Sequence, residues 1–154
     1  MPKPAGAGSL PRYDRDFLLS PAKRNQVLDL WEVEQFGRDS FDDPDHLSIY
    51  GMKASKWYAR GVRLLGRTTL EAVGRGDIAR RVQAAPDGAS FGVLDPFAGS
   101  CNGLYWVLRH VPTATARGFE LDPTVFALTS RNLALSGRRS AAAGSGVGAG
   151  VRPG

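Results

Sequence analysis

A short apolar run, Phe91-Gly92-Val93-Leu94, leads into Asp95-Pro96-Phe97-Ala98-Gly99-Ser100-Cys101-Asn102 and then into Gly103-Leu104-Tyr105-Trp106-Val107-Leu108. The first segment reads as a buried strand and the last as the start of a helix, with a glycine-containing turn between them. Strand, acidic residue, turn and helix in that order form the layout of a nucleotide-type cofactor site. Glycine has no Cβ, so the turn's backbone can approach a ligand closely. The helix N-terminus then offers N–H groups to an electron-rich part of that ligand.

A second segment fits the first. Residues 114–119 read as another strand, ending at Glu120-Leu121-Asp122-Pro123. Glu120 stands where a second parallel strand would end after one crossover helix. An acidic side chain there can accept both ribose hydroxyls of a nucleoside cofactor. Each residue also has a plainer use: Asp95 can cap the turn, and Glu120 can be a solvated strand end.

Asp95-Pro96-Phe97-Ala98-Gly99-Ser100 resembles the first cofactor motif of class I S-adenosylmethionine-dependent methyltransferases. It is closest to those acting on nucleic acids, whose motif reads Asp-Pro-Phe-x-Gly-Ser-Gly. Gly118-Phe119-Glu120 resembles their second motif, and the resemblance spans residues 93–135, under half of the chain. It implies that S-adenosyl-L-methionine is the cofactor. Asp95 and the Gly99 backbone would face its methionine part, Glu120 would hold the ribose, and Phe97 or Leu121 would flank the adenine. Cys101 departs from the pattern by standing where the family has glycine. If position 101 needs a positive φ, its Cβ costs roughly 1–2 kcal/mol. Cys101 is the only cysteine, with no histidine near it in sequence to activate it, so it reads as a small residue that fits the turn.

A length of 154 residues suits one domain with a small appendage, and a hydrophobic fraction of 42% is enough for a core. A single cysteine excludes an internal disulfide framework and suits a reducing compartment. No apolar run approaches a membrane span, and the first residues lack the apolar stretch of a signal peptide. A cytoplasmic protein with no membrane partner is expected.

Charge is unevenly placed. Residues 46–81 carry eight basic side chains against two acidic ones, Glu71 and Asp77, although the whole chain nets only +5. Such a local excess points to an anionic partner better than the bulk balance does. Within it, Lys53, Lys56, Arg60, Arg63 and Arg67 recur at steps of three and four. On a helix they would fall within an arc of about 80°. Ala54, Tyr58, Val62 and Leu65 would lie opposite. The spacing predicts an amphipathic helix over 47–66, weakened by Gly51, Gly61 and Gly66. Its basic face is either a solvated surface or a phosphate-backbone contact for DNA or RNA.

The remaining expectations are local. Ser20-Pro21 predicts a helix from 20 to 36, stopped by Gly37. The acidic stretch over 39–45 lacks the order of a calcium loop and reads as solvated. Thr68-Thr69-Leu70-Glu71 has capping-box spacing, a helix is expected over 77–84, and Ala85-Pro86-Asp87-Gly88 is a turn. Further helices are expected over 103–110 and 123–135, the latter capped at Asp122-Pro123.

The expected class is α/β: a helical N-terminal region followed by the start of a Rossmann-like methyltransferase sheet, truncated. Residues 1–19 are expected to be disordered, 20–87 to form the helical basic region and 88–136 a partial S-adenosylmethionine-binding domain. The glycine- and alanine-rich tail, 137–154, is expected to be disordered, with no strand-forming run. The resemblance implies a sheet of about seven strands, and the sequence offers two, leaving an open sheet edge. It also implies an Asp/Asn-Pro-Pro-aromatic motif for amine targets or Pro-Cys for cytosine. Neither occurs, so no catalytic residue is assigned. Two functions follow as expectations. One is the N-terminal portion of a methyltransferase acting on a nucleic-acid nitrogen. The other is a small non-catalytic nucleic-acid-binding protein with a vestigial cofactor fold.

Overall fold

The computed structural model describes residues 11–70, 92–111, 113–136, 140–142 and 149–151. Its first helix, α1 (Arg15–Leu19), starts where the Asp14 carboxylate accepts the Phe17 N–H at 3.0 Å. Turns occupy residues 20–26, so the Ser20-Pro21 signal opens a turn and not the helix expected over 20–36. Helix α2 (Leu30–Phe41) begins later, where the Glu32 carboxylate accepts the Asp29 N–H at 2.9 Å. Gly37 lies inside α2 and does not stop it. The returning backbone of Asp43 and Pro44 closes over Gly37 so tightly that a Cβ has no room. The helix ends at Asp42, whose φ of 55° is left-handed.

The single amphipathic helix expected over 47–66 does not form. A hairpin of β1 (Ser48–Ile49) and β2 (Met52–Lys53) pairs Ser48 with Lys53 and Ile49 with Met52. Its turn puts Tyr50 at φ 49° and Gly51 at φ 74°, two consecutive positive angles that suit a two-residue hairpin and end a helix. Helix α3 (Ala54–Ala59) follows and stops before Gly61, at φ 88°. An extended segment then runs beside residues 27 and 28, with the Leu28 N–H donating to the Leu64 carbonyl at 3.0 Å. Helix α4 (Gly66–Thr69) contains Thr68, which was expected to start a helix. Its hydroxyl instead reaches back to accept the Leu65 N–H at 3.0 Å. Glu71, the helix over 77–84, the turn at 85–88 and residues 1–10 lie outside the described residues.

The α/β part follows its local signals closely. It runs β3 (Gly92–Asp95), α5 (Asn102–His110), β4 (Thr115–Gly118) and α6 (Pro123–Leu135). β3 and β4 are parallel, in register from Gly92 opposite Thr115 to Asp95 opposite Gly118. Asp122 caps α6 by accepting the Thr124 and Val125 N–H groups at 2.9 and 3.1 Å. The tail corrects the expectation that no strand follows residue 137. Strands β5 (Ser140–Ala142) and β6 (Ala149–Val151) complete a sheet of order β3-β4-β6-β5, with β6 antiparallel to β4. The edge of β4 expected to stay open is therefore taken. Ladder bonds use backbone groups alone, so a sequence of small residues can supply them.

The chain is mixed α/β, with six helices and two small sheets among the described residues. One buried cluster spans both parts, joining Leu18, Val33, Ile49, Trp57 and Leu64 to Ala98, Leu104, Leu108, Ala116 and Leu133. Two buried amides reinforce that junction. Asn102 accepts the Tyr50 N–H at 3.0 Å and donates to the Ser48 carbonyl at 3.2 Å. Asn132 accepts the Arg63 N–H at 3.0 Å and donates to the Arg63 carbonyl at 2.6 Å. Each side chain pairs with a distant backbone segment much as a strand would. No helix among the described residues is long and apolar enough to cross a membrane.

Candidate cofactor site at the strand ends

The parallel pairing of β3 and β4 brings their carboxyl ends side by side, and the ladder continues past both strands. The Phe119 N–H donates to the Asp95 carbonyl and the Ala98 N–H to the Phe119 carbonyl, each at 2.8 Å. The chain therefore turns sharply at Ala98, and Gly99 at φ 48° carries that turn. Its N–H points to the acid at the end of the neighbouring strand, donating to Glu120 Oε2 at 3.2 Å. Glu120 Oε1 accepts the Asp122 N–H at 2.8 Å. Gly99 and Glu120, singled out separately in the sequence, are thus in direct contact.

Asp95 is half-buried and turns back on its own loop, accepting the Phe97 N–H at 2.9 Å. Phe97 and Leu121 both project into solvent, 88% and 89% exposed. These are large apolar side chains with almost none of their surface covered, one beyond each strand end. Cys101 takes φ 57°, the left-handed backbone for which its Cβ is costly. Its thiol is buried, and a Cβ on Gly118 would lie 3.3 Å from the sulfur and 2.7 Å from Ala98 Cβ. The bare Gly118 backbone lets the loop and α5 close over the end of β4.

Three further side chains hold this loop. The Thr129 hydroxyl donates to the Gly99 carbonyl and the Tyr50 hydroxyl to the Ser100 carbonyl, both at 2.7 Å. Asn102 holds the hairpin that carries Tyr50, and its own N–H turns to Ser100 Oγ at 3.4 Å. The sequence reading singled out none of the three. Thr129 and Asn132 fall at helical spacing on the buried stripe of α6 with Val125 and Leu133, a polar interruption that marks a partnered group. Tyr50 carries no local signal, because its partner is 50 residues away.

The five basic residues do not share one face. Lys53 is on a strand and pairs with Asp45 at 2.9 Å, a contact that raises its pKa. The Arg63 guanidinium lies 3.6 Å over the Tyr58 ring and donates to the Tyr58 and Val62 carbonyls. Arg67 donates to Asp122 at 2.7 Å, which lowers the Asp122 pKa through that bond and the capping N–H groups. Lys56 and Arg60 are exposed and have no acidic partner among the described residues. Trp57, considered for base stacking, is fully buried.

Among the described residues, no group of histidine, cysteine and carboxylate side chains could hold a metal ion. An open apolar groove of about 540 Å³ is lined by Val27, Leu65, Pro123, Ala127, Leu128 and Arg131, and by none of Asp95, Phe97, Gly99, Glu120 or Leu121. The strand-end site is instead a surface of exposed apolar and polar groups.

No known protein family, curated protein or solved structure matches this chain.

Proposed function

We propose that this chain carries the cofactor-binding portion of a Rossmann-like, S-adenosylmethionine-dependent methyltransferase, with a nucleic-acid nitrogen as the methyl acceptor. The observation that carries the reading is the contact between the Gly99 N–H and the Glu120 carboxylate. It joins the turn after one parallel strand to an acid at the end of the next.

The residues present fit such a ligand. Each Glu120 oxygen accepts one backbone N–H, and a carboxylate has about four acceptor positions, so capacity for a ribose diol is left. Phe97 and Leu121 offer two apolar surfaces for a purine to cover. The left-handed turn at Gly99 leaves the Asp95 side open to a polar chain, since a glycine there adds no Cβ. When bound, S-adenosylmethionine supplies an electrophilic sulfonium methyl. The contribution of this chain is to fix the ligand's orientation, which for a direct transfer is the main source of rate. Lys56 and Arg60 support the nucleic-acid part of the reading, as exposed cations able to meet phosphates.

Calorimetric titration of the full chain with S-adenosylhomocysteine tests the cofactor part. The wild type binds, and Glu120→Ala weakens binding at least about tenfold by removing the diol's acceptor. No binding at millimolar ligand, or equal affinity in the variant, would remove the reading. The nucleic-acid part is tested separately by titrating labelled single- and double-stranded oligonucleotides at several salt concentrations. The Lys56→Glu, Arg60→Glu double variant should bind more weakly, with a shallower salt slope. Unchanged affinity would exclude these two cations. Salt-sensitive nucleic-acid binding without cofactor binding would favour the non-catalytic alternative.

A further inference from the structure

Tyr50 links two parts of the molecule that are far apart in sequence. It occupies a left-handed position in the hairpin turn, at φ 49°, which a tyrosine adopts only when the surroundings hold it there. Asn102 supplies that hold by pairing with the Tyr50 N–H and the Ser48 carbonyl. Gly51 completes the turn against α5, where a Cβ would meet the Tyr105 hydroxyl at 2.9 Å. The Tyr50 and Tyr105 rings lie 5.7 Å apart. The result of this strained, doubly held turn is one directed contact, the buried Tyr50 hydroxyl donating to the Ser100 carbonyl at 2.7 Å.

Ser100 stands between Gly99, which contacts Glu120, and Cys101, whose N–H closes the turn onto the Ala98 carbonyl at 2.6 Å. Thr129 holds the Gly99 carbonyl from α6. Two consecutive loop carbonyls are therefore fixed by hydroxyls from opposite ends of the chain. A loop that presents backbone to a ligand gains affinity from being held in its bound shape beforehand.

We propose that Tyr50 is a positioning residue for the strand-end site: the 48–53 hairpin aims its hydroxyl at the Ser100 carbonyl and so holds the 98–101 turn in the form that presents Gly99 and Glu120 to ligand. This makes the N-terminal part a regulator of affinity at the α/β part. The ligand half of the inference rests on the cofactor reading above, while the loop-holding half stands on geometry alone.

The test compares two variants that each lose one buried hydroxyl, Tyr50→Phe and Tyr13→Phe, in the full chain. Tyr13 donates to Glu32 at 2.9 Å in the N-terminal part, away from the loop. Both retain the ring, and the Tyr13 variant serves as the control for general destabilisation. Native-state hydrogen exchange at the Gly99 and Cys101 amides should accelerate about fivefold in Tyr50→Phe, the worth of one hydrogen bond. In Tyr13→Phe, exchange at these amides should change no more than global stability does. S-adenosylhomocysteine affinity should fall about fivefold in Tyr50→Phe and stay unchanged in Tyr13→Phe. Equal exchange in the two variants overturns the loop-holding role. Faster loop exchange with unchanged affinity overturns the positioning role. If the wild type binds no S-adenosylhomocysteine, the cofactor reading and the positioning role fail together, and exchange alone decides whether Tyr50 fixes the loop.

Discussion

Trp57, in the middle of the N-terminal helical part, is completely buried, whereas Phe97, a ring of comparable hydrophobic worth, is 88% exposed at the end of β3. Polar groups divide in the same way. In the N-terminal part they are turned inward: the buried Glu32 carboxylate accepts from Tyr13, Lys23 and the Asp29 N–H. Burial, reinforced by the hydrogen bond to Glu32 and its charge, pushes the Tyr13 hydroxyl far above its ordinary pKa. At the strand ends, Asp95 and Glu120 are only half-buried and have backbone partners alone, beside two uncovered apolar side chains. An exposed phenylalanine adds little to folding, because its transfer from water has not occurred. The N-terminal part thus concentrates what holds the chain together, and the strand ends concentrate what a ligand could still bury.

The largest expected effect tests that contrast directly. Trp57→Ala should cost ~3–5 kcal/mol in urea unfolding. Phe97→Ala should stay within about 0.5 kcal/mol of the wild type. A comparable loss from Phe97 would mean that it is covered in solution, and the contrast would collapse.

Next in size is the junction between the two parts. Asn132→Ala leaves the Arg63 N–H and carbonyl without their partner, and should cost about 2–4 kcal/mol by the same measurement. The loss should appear as a lower midpoint with one transition, since a single core spans both parts. Two separated transitions would show that the parts melt independently.

The smallest effect belongs to the surface pair of Arg67 and Asp122. The folded-state pKa of Asp122 is depressed, first by the Arg67 bond, from an ordinary value of 3.8. Its stabilisation is therefore complete above that value and is lost as pH falls below it, through the folded pKa. Melting temperatures between about pH 5 and pH 2 should fall more steeply in the wild type than in Asp122→Asn, whose amide does not titrate. Parallel curves would show that the pair adds no acid-side dependence.

The same division governs how much the sequence revealed. In the α/β part each element announces itself within a few residues. Asp122-Pro123 starts α6, a four-residue apolar run opens onto Asp95, and the expected and observed bounds differ by about one residue. The N-terminal part misleads because its signals act at a distance. Ser20-Pro21 has the chemistry of a helix start, yet the chain must first turn so that residue 28 can bond Leu64. Gly37 resembles a stop but is a point of close approach for a returning loop. The basic residues from Lys53 to Arg67 match helical spacing, yet Gly51 and Gly61 sit at positive φ and divide them among a strand, a short helix and a loop. At the candidate site, the motif residues were legible one by one. The contact between Gly99 and Glu120 needed the parallel register, and the support from Tyr50 and Thr129 needed the whole fold.

Cys101 gives the molecule a chemical clock. Its thiol is the only one in the chain and is 2% exposed, packed beneath the loop it helps to form. A thiol in that position reacts with a water-soluble reagent only as fast as the loop opens and admits it. The rate of modification of one sulfur therefore reads out the opening of the strand-end turn, without a label added elsewhere. Any compound that closes over Phe97 and Leu121 should slow that clock in proportion to how tightly it holds.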